Sequence, residues 1–545
     1  MSTEDSAVAF SAGVQQPAFG EGACGIGRID YANIGRLATE RRPTPALPPH
    51  ARDARSLDSA AARCWTAGLL ALCATGTRAN RSIVDVEAWA TSADGSMRLS
   101  PIPTSSDDNE TELVRVDPTS ARQVIGGFGA ALTHSSAAVL EGMPESSRNA
   151  LLRELFDPAG DVRLTVLRIA LGGSDFVVDP AYTYDDMPAG EEDWDLEHFS
   201  TAADDVSLRP LLRRILEISP ELTIIASPWS PPAWLKDSGR LDGGQLRDDD
   251  RAYTTYATYL SRAVADYSAA GIPIDFLTVQ NEPQARFPDG YPGTDLPVRD
   301  QVRLIDALGP LLDRSEPRTE ILAYDHNWSL HPADAEGVSD PETEYPSDVL
   351  TSSAAPWVDG VAYHCYAGDA SRQSELHDRF PSVGIYVTEC SGSHGPDEDG
   401  DHIFSNTLAW QARNLLIASL GNWASTVMTW NLALDPVGGP HVGGCATCTG
   451  VVTVDDTGSV TRNAEFYVLA HAARFIPPGS TALNTAEEGD SALSHTAFRT
   501  PSGTVVLLFN DAPDPRMTKV IVGSTETHLN IPGRSLITLR FGSTR

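Results

Sequence analysis

Two glutamates carry the strongest chemical signal in the sequence. Glu282 closes the apolar run Phe276-Leu-Thr-Val-Gln-Asn-Glu-Pro283, and Glu389 closes Gly384-Ile-Tyr-Val-Thr-Glu-Cys390. Such an apolar lead-in buries the backbone while the carboxylate emerges where the run ends. Two carboxylates held about 5–5.5 Å apart across a glycosidic bond hydrolyse it with retention: one protonates the leaving oxygen and the other attacks the anomeric carbon. The acid must keep its proton near neutral pH, whereas the nucleophile must stay ionised through hydrogen bonds or a nearby donor. Asn281 is placed to bind a sugar 2-hydroxyl, and Tyr366 to donate to Glu389.

Sugar rings also need aromatic partners, because their C–H faces pack on indole and phenol rings. Trp229, Trp234, Trp328, Tyr366 and Trp430 all stand at or just past the ends of apolar runs. His364 stands beside Tyr366, where it either orients a carboxylate or fills the mouth of the site.

The elements that must position these groups follow from the runs themselves. Eight of them recur between Val124 and Leu434: Val124–Phe128, Arg163–Leu171, Leu222–Trp229, Phe276–Glu282, Ile321–Trp328, Val358–Tyr366, Gly384–Glu389 and Ser425–Trp430. Most are followed by a stretch of helical period, clearest in Leu208–Ile218, Ala252–Ala269 and Thr407–Leu420. Alternation of this kind predicts a (β/α)8 barrel, an α/β fold whose catalytic groups sit at the C-terminal ends of the strands; a doubly wound sheet is the alternative. The separation of Glu282 and Glu389 corresponds to about three βα units of roughly 30–35 residues, which places them on strands 4 and 7, facing across the mouth.

Outside the barrel, residues 1–82 lack sustained periodicity and read as a poorly ordered extension dispensable for catalysis. Residues 83–121 contribute strands, 122–476 form the barrel with Phe466–Phe475 as its last helix, and 477–545 form an antiparallel β-sandwich that the early strands join.

Composition narrows the partners. A formal charge of −34 repels phosphate backbones and anionic membranes, so a nucleic-acid partner is excluded and a neutral β-linked glycoside or glycolipid is expected. No apolar run reaches the roughly 20 residues that span a bilayer, so no integral membrane segment is expected. As written the chain reads as cytoplasmic; Trp65–Cys73 becomes the core of an export signal only if the true start lies downstream of Met1. Seven cysteines are too few for a disulfide framework at this length. Cys445-Ala-Thr-Cys448 lacks a second pair for zinc and reads as a local disulfide or two free thiols, and Cys390 is expected to pack beneath the site. No metal or other cofactor is expected.

Five motifs in order give the sequence a specific resemblance: Gly126-Gly-Phe-Gly-Ala-Ala-Leu-Thr133, Ala226-Ser-Pro-Trp-Ser-Pro-Pro-Ala-Trp234, Asn281-Glu282-Pro283, Glu389-Cys390 and Trp430-Asn-Leu-Ala-Leu434. Together they resemble glycoside hydrolase family 30, the glucosylceramidase family, from about Val84 to the C-terminus. The resemblance implies a (β/α)8 barrel with an attached β-sandwich, double displacement with retention, and no metal. It implies Glu282 as acid/base and Glu389 as nucleophile, with Trp229, Asn281, Tyr366 and Trp430 lining the sugar site. One position departs from the pattern. After Thr133 the glucosylceramidase motif continues to a sugar-binding aspartate, and here stands His134, which is expected to face the sugar and to relax or shift its selectivity; the alternative is that Asp175 or Asp325 already supplies the acceptor and His134 only packs nearby. The function expected is a glucosylceramidase-like β-glucosidase. A β-1,6-glucanase, β-xylosidase or β-fucosidase is the alternative on the same scaffold, and a non-catalytic glycan-binding protein is disfavoured because both carboxylates are present.

Overall fold

A computed structural model of the chain describes residues 85–105, 112–286, 290–394, 398–488 and 493–542, so the expected N-terminal extension lies wholly outside the described residues. Eight parallel strands close a barrel: β1 (Gly127–Ala131), β2 (Val166–Leu171), β3 (Thr223–Pro228), β4 (Phe276–Thr278), β5 (Glu320–Asn327), β6 (Val358–His364), β7 (Gly384–Glu389) and β8 (Thr426–Thr429). They lie side by side in chain order, with β8 against β1, and each falls within or overlaps one of the eight apolar runs. Continuous apolar runs suit this position because parallel strands are covered on both faces.

The first glycine motif has a steric reason. A Cβ on Gly129 would stand 2.0 Å from the carbonyl oxygen of Val166, so only glycine lets β1 and β2 approach this closely. The outer helices include Leu208–Ile218, whose apolar face is set by Leu208, Leu211, Leu212 and Ile215, all buried. Asp250–Ala269 starts at the capping side chain of Asp249, which accepts from the Arg251 N–H. The expected helix over Thr407–Leu420 is longer, from Gly400, and widens to π geometry over Gln411–Ala418.

The second layer is a nine-stranded sheet that curls into the side domain, in the spatial order 525–531, 516–522, 112–124, 481–488, 493–500, 503–510, 535–542, 86–92 and 100–102. The early strands join it, as expected, but pairing is not antiparallel throughout: Glu112–Val124 runs parallel to Arg516–Val522. Two of its strands, Thr481–Glu488 and Thr525–Ile531, carry too many polar residues to show as apolar runs. A small three-stranded sheet at 433–434, 452–454 and 460–462 was not anticipated either. Sheet and barrel are locked through His471 on the last helix, whose two ring nitrogens engage Thr538 at 2.7 Å and Thr91 at 2.9 Å. Burial pulls this imidazole down to about 3, so it stays neutral while bridging the two layers.

Candidate active site

β6 sets the level of the site. Its terminal His364 pairs in register with Asn327 of β5 on one side and Glu389 of β7 on the other. Both ladders slip just before this point, between Tyr324 and His326 and between Val387 and Glu389, which re-aims the last side chains toward the mouth. Tyr324 and Asp325 have φ of 73° and 71°, and Glu282, just past β4, has φ of 45°. Left-handed backbone at non-glycine residues costs free energy and persists where surrounding contacts fix it.

The centre is a fully buried arginine. Arg168, in the middle of β2, donates from Nη1 to Glu389 Oε2 at 2.6 Å, and from Nη2 to Asn281 Oδ1 at 2.7 Å and Asp325 Oδ2 at 2.9 Å. Trp229 and Trp430 stack on each other with ring centroids 5.4 Å apart, and the guanidinium lies 4.9 and 5.4 Å from their rings. Asp325 is fully saturated: besides Arg168 it accepts from Ser227, Thr278 and Thr388 and engages His364 Nε2 at 3.2 Å. Burial opposes its charge, but Arg168 and these donors hold the carboxyl well below the usual range.

The two sequence-selected glutamates meet here. An oxygen of Glu282, an oxygen of Glu389 and a nitrogen of His364 all lie within 4.8 Å of one another. Tyr366 donates to Glu389 Oε1 at 2.9 Å, so two donors fix the nucleophile candidate from both sides, and its own N–H is held by Asn327 Oδ1. Glu282 Oε1 instead faces a titratable partner, His364 Nδ1, at 3.0 Å. Burial opposes a charge on His364, yet Glu389, Asp325 and Glu282 outweigh it and lift the imidazole to about 9. Burial would raise Glu282, but His326 and His364 draw it down to about 2, while burial and the neighbouring Glu282 lift Glu389. The two glutamates are therefore electrostatically linked, and the His364 imidazole, raised by these carboxylates, lies against Glu282 at 3.0 Å. The same three groups are the set that a divalent cation would find, and within it His364 is bonded to Glu282.

Three of the five aromatics named from sequence converge on this centre: Trp229, Trp430 and Tyr366. Trp234 and Trp328 do not, because their indole N–H groups are committed to the Asp185 carbonyl and to Gln373 in the surrounding packing. His134 opens a helix capped by Thr133, and its Nε2 lies 3.1 Å from Asp204 Oδ1. Asp204 also accepts from the phenols of Tyr182, Tyr184 and Tyr267, so the imidazole belongs to a buried polar cluster of its own. A third carboxylate beside the catalytic pair is Asp175, which burial, then Glu389 and Glu282, lift well above the usual range against the backbone N–H groups of Asp175 and Phe176. Its backbone is pinned by the Val442 N–H, and Gly444, the residue before the Cys445–Cys448 disulfide, abuts its side chain. On the far side of Glu282, His326 Nε2 lies 3.8 Å from Glu282 Oε1 and 3.7 Å from Asp334 Oδ2, with the Arg286–Asp295 ion pair nearby. Cys390, expected to pack as a thiol, is instead joined to Cys365, because consecutive strands bring the two side by side.

Comparison with known proteins settles the class. Residues 125–476 match the glycosyl hydrolase family 30 TIM-barrel domain and residues 479–539 the family's β-sandwich domain. The chain belongs to glycosyl hydrolase family 30. It is a glycosidase, and among curated family 30 relatives it is 33% identical over 421 residues to an endo-1,6-β-D-glucanase of Neurospora crassa, covering 74% of this chain and 82% of that protein. It is 30% identical to the lysosomal acid glucosylceramidase of Mus musculus, covering 73% and 76%. A solved endo-β1,6-glucanase superposes with a TM-score of 0.74 at 27% identity, covering 84% of this chain and 99% of that one. Among the described residues no helix is long and apolar enough to cross a membrane.

Proposed function

We propose that this family 30 enzyme hydrolyses β-1,6-linked glucan with retention, Glu282 acting as acid/base and Glu389 as nucleophile. The observation that carries retention is that an oxygen of each carboxylate lies within 4.8 Å of one on the other, which suits the roughly 5–5.5 Å spacing of a retaining pair better than the roughly 6.5–9.5 Å that inversion needs to seat a water. Arg168 and Tyr366 donate to Glu389 and favour its charged form against the burial and the Glu282 charge that lift it, and the proton on His364, bonded to Glu282, is the one that serves the leaving oxygen. Asn281, its Oδ1 engaged by Arg168, presents its amide N–H to the sugar 2-hydroxyl, and Trp229 and Trp430 wall the ring. The glucan reading draws on the named relatives and on the charged lining beyond Glu282, where Asp334, Arg286 and Asp295 suit a leaving sugar better than a lipid chain. Glucosylceramide hydrolysis is the second reading, supported by the mouse relative. Purified enzyme should release reducing ends from β-1,6-glucan, the first-formed sugar being the β anomer by NMR. Cleavage of glucosylceramide with β-1,6-glucan left intact would overturn the glucan reading.

Replacing the acid/base tests the division of roles. Glu282→Gln is expected to lower turnover of β-1,6-oligosaccharides by roughly 10²- to 10⁴-fold, because their alkoxide leaving groups need the proton. Dinitrophenyl β-glucoside needs none and should keep a fast first step. Equal losses on both substrates would contradict the assignment.

The sugar acceptor in this reading is Asp175, with His134 serving the Asp204 cluster. Loss of a hydrogen bond costs about 0.5–1.5 kcal/mol to a neutral group and 1.5–3 kcal/mol to a charged one, so Asp175→Ala should reduce kcat/KM for β-glucosides by roughly 2-fold if the carboxyl is neutral and up to roughly 150-fold if it is charged. His134→Asp would set a second carboxylate against Asp204 and should lower the melting temperature while leaving the glucoside to galactoside ratio unchanged. A changed ratio in the His134 variant, with Asp175→Ala silent, would restore His134 as the specificity residue.

A further inference from the structure

The Cys365–Cys390 disulfide joins two residues that each touch the catalytic groups through the chain. Cys365 separates His364, bonded to Glu282 and Asp325, from Tyr366, whose phenol donates to Glu389. Cys390 directly follows Glu389. The β6–β7 ladder ends at the Glu389–His364 pair, so past this level the two strands are tied by sulfur. One end of the tie is firmly held: the Cys390 carbonyl accepts from the Trp430 N–H at 3.0 Å, Thr429 Oγ1 at 2.7 Å and Gln411 Nε2 at 3.2 Å. Both cysteines are buried, and the apolar pair sits at the same level as the nucleophile.

We infer that this disulfide is a positioning element: it fixes the Tyr366 phenol against Glu389 and thereby sets the charge and reactivity of the nucleophile. The inference rests on the assignment of Glu389 as nucleophile. With the bond intact, the segment carrying Tyr366 is anchored through Cys390 to β8. Without it, Tyr366 is held at its backbone by Asn327 alone among these contacts, and a phenol at the end of a long side chain shifts easily by the fraction of an ångström that breaks a 2.9 Å hydrogen bond. Reduction adds two electrons and two protons to give two thiols; with a phosphine reductant, the phosphine becomes its oxide with oxygen from water. Activity is thus coupled to redox poise, and a thiol-reducing compartment would yield a folded but weaker enzyme.

The test is a cycle of three proteins against the wild type: Cys365→Ala with Cys390→Ala, Tyr366→Phe, and all three changes together. The primary reading is the rate at which an activated 2-deoxy-2-fluoro-β-glucoside forms a covalent adduct on Glu389, followed by mass spectrometry. Breaking the disulfide should slow trapping roughly 10- to 100-fold, and the acidic limb of kcat/KM should move to higher pH because the ionised carboxylate has lost a donor. Tyr366→Phe should do the same, and the combined variant should be little slower than Tyr366→Phe alone. A lower melting temperature with unchanged trapping and pH limb, or fully additive losses, would overturn the inference. If the cysteine variant does not fold, wild-type protein partly reduced with TCEP and thiol-capped should lose trapping rate in proportion to the fraction reduced; no loss would equally overturn it. Failure of wild-type Glu389 to label at all would sink the nucleophile assignment, and the inference with it.

Discussion

Glu389→Gln is expected to abolish turnover on every β-glucoside, by roughly four to six powers of ten. An amide cannot form the glycosyl ester, and no other group stands where the attacking oxygen must be: Asp325 is saturated by five donors and Asp175 is the group proposed to hold sugar hydroxyls. Fold should be little affected, because Gln keeps the shape, its amide oxygen can still accept from Arg168, and its amide N–H can donate to the Tyr366 phenol oxygen where the carboxylate accepted from it. The sharper experiment is Glu389→Gly with azide. A small anion entering the vacated space from the nucleophile's side should restore cleavage of dinitrophenyl β-glucoside and yield the glycosyl azide of opposite configuration to a product made by Glu282→Gly with azide. Residual activity above about 1% of wild type in purified Glu389→Gln would remove this residue from the mechanism.

The second large effect is expected at Arg168. Replacing it with Met leaves Asp325 and Glu389 buried without their cation, and breaking a buried pair by removing one partner costs roughly 3–5 kcal/mol. Arg168→Met should therefore lower the denaturation midpoint strongly and also cripple catalysis. Arg168→Lys keeps the charge but not the planar fork that reaches Glu389, Asn281 and Asp325 together, so it should recover stability better than activity. The sign of the pH dependence follows. In the wild type Asp325 is held below its unfolded value, so its contribution is complete above the ordinary carboxylate range and is lost only as pH falls through its folded value. In Arg168→Met that carboxyl rises, so the stability deficit should narrow on acidification as Asp325 takes up a proton. An Arg168→Met enzyme with wild-type midpoint and rate would refute the central role given to this residue.

What the sequence revealed and what it hid have physical causes. Glu282 and Glu389 were legible because each ends an apolar run, and strand count alone set them across the mouth from each other. Arg168 left a weaker trace: one charge inside the run Val166–Leu171, which has to find partners inside the barrel because a buried cation cannot stand alone. Position at a run end said nothing about direction, so Trp234 and Trp328 were grouped with the site although their indoles turn into the packing. His134 was similarly aligned by its place after Thr133, whereas the contact that decides its orientation, Asp204, lies 70 residues on. The cysteine pair was within reach: Cys365 and Cys390 each follow the apolar core of consecutive strands, and neighbours in a parallel barrel bring such positions together.

The strand 86–92 lies antiparallel against 535–542, with Val86 opposite Phe541, so the described chain starts and finishes at adjacent points of the side domain. In a chain trimmed to 85–542, a short linker between them would close the ring without moving a strand. New ends could then be opened at a surface turn of the barrel, and a circular permutant would carry the same site on a rearranged reading order. The sandwich is for the same reason not a detachable tail: cutting before 477 would strip the partner from 86–92 and take Thr538 away from the His471 Nδ1.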